Sequence, residues 1–178
     1  MASIYFSTYT LGNFSLIQSW LLISTPFVSA IGNIAFPSVA RDFNLSKFEL
    51  KDLYIYLCNA LLISMFLTTL LALSTPFILD RLMTGVYQGY SSYVFEMAVL
   101  IVLKQVFSIL SEIARGLDLN LLYSFVLFLS IAGSALGCVI VKPENPLSLL
   151  SIILIAQIFN LLICYVLVYR AVRIRSQK

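Results

Sequence analysis

Histidine is absent from this 178-residue chain, and charged residues make up only 11% of it. Without imidazole the chain can hold no His-ligated haem, no ordinary copper site and no histidine acid/base or nucleophile relay. Soluble domains carry about 25% charged residues, so a water-exposed globule is excluded as well. Cysteine is scarce: Cys58, Cys138 and Cys164 fall singly inside separate apolar runs, without the paired spacing of a zinc or redox motif, and read as reduced core residues. No G-x-S-x-G elbow is present. Asp42, Glu49 and Asp52 read as a solvated helix start, not a metal site. The expectation is a chain that is no enzyme by itself and takes no metal, cofactor or nucleic acid.

What the chain has in abundance is apolar surface, at 61% hydrophobic residues. Five runs, 14–36, 53–79, 93–114, 121–141 and 147–169, each match the roughly 20 residues that a spanning helix needs. They predict an all-α integral membrane protein: one domain over 1–178, a bundle of five transmembrane helices with short loops, antiparallel neighbours and a basic C-terminal tail. The N-terminus, MASIYFSTYTLGNFS, lacks the basic region of a cleavable signal and suits insertion from the first span.

Local signals punctuate these runs. Ser46 and Glu49 form an S-x-x-E capping box, with Leu45 and Leu50 as its hydrophobic staple, which starts the second helix near Lys47 and lets it end near Pro76. Pro26 should bend the first span. Gly116 suits the end of the third helix, Asp118 a cap for the fourth, and Asn145-Pro146 the start of the fifth. Five spans then put Arg41, Lys47, Lys51, Arg115, Arg170, Arg173, Arg175 and Lys178 on one side and only Arg81 and Lys142 on the other. The positive-inside rule places the C-terminus on the matrix or cytoplasmic side. The cations from Arg170 to Lys178 set topology and could also touch anionic phospholipid.

The candidate site is a polar stripe on the third helix. Helical spacing puts Lys104, Ser108, Ser111, Glu112 and Arg115 on one face, with Gln105 at its margin, and Val99, Val102, Leu103, Val106 and Leu110 on the other. An ionisable residue near the bilayer centre costs roughly 2.5 to 3.5 kcal/mol, so Lys104 should face protein or water. Three readings stay open: a polar face buried against partner helices, an interfacial amphipathic helix that never spans, and a proton-active lysine tuned by Glu112 or Glu96. Gly133 and Gly137 form a G-x-x-x-G packing surface, for a helix of this chain or of another subunit. Gln18, Asn33, Asn59, Gln157 and Asn160 read as buried residues that hydrogen-bond between helices.

The stretch FVLFLSIAGSALGCVIVKPENPLSLLSIILIAQIFNLL, over residues 125–162, resembles the first two helices of the 4L subunit of respiratory complex I. Small residues in one helix and a short polar turn are followed by a helix reading Ser-Ile-x-Leu, here Ser151, Ile152 and Leu154, with Asn160 further on. It also resembles the start of the complex I subunit 6 family, through the turn at Asn145 and Pro146. The 4L family carries a membrane-buried glutamate where this chain has Ile153, so the resemblance implies a divergent or supernumerary membrane-arm subunit and not a carried-over proton site.

Together these readings predict a non-catalytic membrane subunit of a multisubunit, energy-transducing complex of the respiratory-chain type. It would sit in the mitochondrial inner membrane among other membrane subunits, structural in role and supporting proton translocation. The alternative is an autonomous small transporter or channel that uses Lys104 and Glu96.

Overall fold

The computed structural model describes residues 8–45, 47–82, 91–143 and 145–176. Helix α1 (Thr8–Leu21) passes through a 3-10 turn at Leu22–Ser24 into α2 (Thr25–Asn44). Four long helices follow: α3 (Leu50–Leu82), α4 (Ser91–Gly116), α5 (Asn120–Val141) and α6 (Pro146–Ser176). Five stretches are long and apolar enough to cross a membrane: Phe14–Asn44, Leu50–Ile78, Tyr93–Gly116, Tyr123–Val141 and Leu147–Ile174. This is the expected all-α bundle with the build of an integral membrane protein. The first and last spans outrun their apolar runs because helical hydrogen bonding continues into the charged turns at Arg41 and Arg173.

The helix ends follow the local chemistry, with three corrections. Helix α3 starts at Leu50, not near Lys47. The Glu49 amide donates to Asp52 Oδ2 at 3.0 Å, while the Glu49 carbonyl accepts from the Asp52 and Leu53 amides. Glu49 therefore stands at the cap position, and Asp52 supplies one arm of a capping box there, three residues beyond the box expected at Ser46, which falls outside the described residues. Leu45 is exposed, so the staple to Leu50 does not form; Phe48 is buried in its place. Second, α3 runs through Pro76 to Leu82. Spanning helices tolerate proline; here the carbonyl that Pro76 leaves without its helical donor is that of Ala72, while Ser74 and Thr75 both donate to the Leu71 carbonyl at 2.8 Å. Third, Asp118 does not cap α5; it takes a left-handed φ of 60° in the tight turn, and Leu119 holds the cap position without a side-chain bond. Gly116 does end α4, and the Ser148 amide donates to Asn145 Oδ1 at 2.8 Å with Pro146 opening α6. The first span breaks just ahead of Pro26, which sits in the first turn of α2.

Helix α4 is the axis of the bundle. It packs most extensively against α2, α6 and α3, whereas α5 rests on α6 and meets α4 only sparsely. Close approach of α2 and α4 rests on glycine. A Cβ at Gly116 would lie 3.0 Å from Val39 Cγ1 and 3.1 Å from the Phe36 carbonyl oxygen. One end of the bundle is held by Ile17, Leu21, Val94, Met97 and Ile101, and the other by Val39, Leu53, Ile113, Val168 and Val172. Successive spans therefore alternate in sense. Arg41, Lys47, Lys51, Arg115 and Arg170 accordingly collect at the second end, as the charge pattern requires.

Further expectations need correcting. The basic C-terminal tail is largely helix: Arg170, Arg173 and Arg175 lie on the last turns of α6, and Lys178 falls outside the described residues. Cys138 and Cys164 are buried, but Cys58 is exposed on an outward face of α3 and is not a core residue. Of the polar residues read as buried, Gln157 and Asn160 are, Gln18 is half-buried, and Asn33 and Asn59 are exposed. The rotation of α2 and α3 about their axes, set by packing on α4, turns positions 33 and 59 away from the bundle.

Candidate functional site

The polar stripe of α4 divides in space. Lys104 and Ser108 are exposed into an open groove of about 600 Å³ between α4, α5 and α6. Ser130 and Ser134 of α5 and Gln157 of α6 line its walls, with Tyr123 and Phe107 at one end. The groove exists because α5 leans on α6, where Gly137 meets Ile152, and approaches α4 only near the Phe107–Tyr123 pair, whose ring centroids are 5.9 Å apart. Within the Tyr93–Gly116 span, Lys104 lies about 17 Å from either end at a 1.5 Å rise per residue, which is mid-span depth.

The acidic residues of α4 are engaged or placed elsewhere. Arg115 Nη1 donates to both carboxylate oxygens of Glu112 at 2.9 Å, and its guanidinium carbon stands 5.3 Å from the Phe36 ring centroid. The Glu112 stem packs over Gly32, where an added Cβ would lie 3.3 Å from Glu112 Cγ. Ser111 is buried and bonds the Ser108 carbonyl at 2.6 Å. Glu96 is half-buried, and its Oε2 has no partner among the described residues. Both glutamates lie about 12 Å along the helix axis from Lys104, so neither pairs with it. Among the described residues the groove lining contains no aspartate or glutamate, and α5 and α6 carry none in their sequences. Burial of α4 among its neighbours also removes the reading of this helix as an interfacial one, since it is the most enclosed of the five spans.

The G-x-x-x-G pair separates in the same way. A Cβ at Gly137 would sit 2.7 Å from Ile152 Cγ2, so this glycine packs α5 onto α6 within the chain. Gly133 faces open space. It lines a second groove of about 460 Å³ beside Asn160, a buried residue whose Nδ2 finds no partner among the described residues.

Sequence reasoning missed one cluster. Gln105, placed at the stripe's margin, is 3% exposed and forms the hub of a buried hydroxyl network. Its Nε2 donates to Ser24 Oγ at 2.6 Å and to Thr25 Oγ1 at 3.3 Å, and Ser64 donates to its Oε1. Ser24 donates in turn to the Leu21 carbonyl at 2.8 Å and lies 3.4 Å from Thr68 Oγ1. The cluster sits where the first span breaks. The only signal for it was the i, i+4 spacing of Ser64 and Thr68 and the Ser24-Thr25-Pro26 run, residue types common in apolar spans.

The site can hold a negative group: one ammonium with hydroxyl donors around it, in apolar surroundings. No protein-family model matches the chain, and neither does any curated protein or solved structure.

Proposed function

We propose that the chain is a non-catalytic membrane subunit of a multisubunit, energy-transducing assembly of the respiratory-chain type, set in the mitochondrial inner membrane with Arg41, Arg115 and Arg170 toward the matrix. The observation that carries this reading is Lys104, a mid-span lysine open to a groove that supplies no countercharge among the described residues. Left against lipid it would cost roughly 2.5 to 3.5 kcal/mol, which contact with another subunit removes. The charge-sorted ends of the bundle support the orientation, and the complex I resemblance over residues 125–162 supports the class of assembly. Ile153, at the resembled family's glutamate position, lines this groove, so this chain places no acid there. Its contribution to proton movement is that of scaffold. Extraction of native membranes in mild detergent tests the proposal. Migration in a complex much larger than 19.9 kDa is expected, and a stable monomer overturns it.

A second reading, an autonomous transporter, draws on the broken first span, since transporters bind substrates at discontinuous helices. Lys104→Met separates the two. Lost assembly favours the subunit; intact assembly with lost solute flux favours the transporter.

A further inference from the structure

The subunit reading leaves open what covers Lys104. Three observations narrow the occupant. Depth is the first: the hydrocarbon core is about 30 Å thick, so phospholipid phosphates lie more than about 15 Å from mid-span, beyond what a lysine side chain at the centre meets. A helix from another protein can present a charge at any depth. The second is the inventory of donors. Ser24, Ser64, Ser74, Ser111, Ser124 and Ser151 all hydrogen-bond within the chain. Lys104 Nζ and the hydroxyls of Ser108, Ser130 and Ser134, like those of Ser15, Ser19 and Thr69 elsewhere, make no hydrogen bond among the described residues, but these four line one groove and include a cation. Donors thus line a groove whose walls, among the described residues, supply the Gln157 amide but no charged acceptor. The third is shape: Ser130 and Ser134, an i, i+4 pair of small residues on α5, let another backbone approach closely.

We infer that the groove between α4, α5 and α6 seats an apolar helix of a partner subunit bearing an aspartate or glutamate at mid-membrane, whose carboxylate accepts from Lys104 Nζ and the Ser108, Ser130 and Ser134 hydroxyls. This inference rests on the subunit reading. Charge complementarity selects the occupant: one uncompensated cation, no acid on the groove walls, and a charge-assisted bond that is strong where water is excluded. A second copy of this chain would bring another basic groove and is disfavoured on the same ground.

The test uses the full chain in its native membranes, with a photo-reactive benzoyl-phenylalanine at Ile131, an exposed residue of the groove wall. After irradiation, the cross-linked peptide is sequenced by mass spectrometry. In parallel, Lys104→Arg, Lys104→Met and Lys104→Glu are compared for assembly on native gels. The inference expects a peptide with Asp or Glu inside an apolar run of about 20 residues. It also expects retained assembly for the arginine variant, loss of about tenfold or more for methionine as one charge-assisted bond disappears, and complete loss for glutamate. A cross-linked run without an acid, adducts to lipid alone, or wild-type assembly of Lys104→Met overturns the inference while a large native complex keeps the subunit reading intact. The unmodified chain running as a monomer overturns both. Lys104→Arg guards against misfolding: if it too fails to assemble while its thermal unfolding matches the wild type, the charge pairing is wrong.

Discussion

Gln105 Nε2 donates to Ser24 Oγ at 2.6 Å, joining the central helix to the break in the first span. Through this bond and the one from Ser64, a single amide ties α4 to the 3-10 turn and to α3 in the apolar interior. Interhelical hydrogen bonds in membranes average about 0.6 kcal/mol and reach about 1.7. Gln105→Leu should therefore lower unfolding stability by about 1 to 2 kcal/mol in mixed micelles. A stability unchanged within about 0.3 kcal/mol would show that the hydroxyls find backbone acceptors just as well.

The two glycines of the G-x-x-x-G pair should respond in opposite directions. Gly137→Ala pushes a methyl against Ile152 and should cost about 1 to 3 kcal/mol. Gly133→Ala meets open space and, in a helix interior, should gain about 0.5 to 1 kcal/mol. Denaturation of the isolated protein in detergent measures both, and equal effects would contradict the packing described for α5 on α6.

Gly116 meets backbone as well as side chain. An alanine there meets the Phe36 carbonyl oxygen and the branched Val39 side chain, so α2 and α4 have to give by a few tenths of an ångström at a point where backbone yields least. A loss of about 1 to 3 kcal/mol is expected. A cysteine pair engineered across α2 and α4 should cross-link more slowly in that background; unaltered cross-linking would refute the close approach.

The Glu112–Arg115 pair should matter little. Its side chains are 26% and 48% exposed, and screened pairs of this kind contribute about 0 to 1 kcal/mol. Glu112→Gln should thus leave stability nearly unchanged while Lys104→Met impairs assembly. Comparable assembly defects in both variants would restore the stripe as a single functional face.

Removal of the α6 cap offers a local check. Asn145→Ala deletes the acceptor for the Ser148 amide and should cost about 1 kcal/mol. Hydrogen exchange should quicken in the first turn of α6 and not at its centre. Uniformly faster exchange would mean that the cap holds the whole helix.

Sequence alone determined the spans, the sense of their alternation and the ends marked by Gly116 and Asn145-Pro146. Each is set by composition over 20 residues or by backbone chemistry within four. It also identified Lys104, because a charge in an apolar run is visible without knowing its neighbours. The tertiary structure decided what faces what. Glu112 and Lys104 share a helical stripe, yet one packs over Gly32 and the other opens into a groove, because α2 packs closely on α4 whereas α5 touches it only sparsely. Gln105, one position from Lys104, turns inward to Ser24 and Ser64. Serines and glutamine are unremarkable in a sequence, and only the convergence of three helices makes them a network. Periodicity can place a residue on a face; which neighbour covers that face depends on helix rotation and lean, which the packing of α2, α3 and α6 on α4 sets.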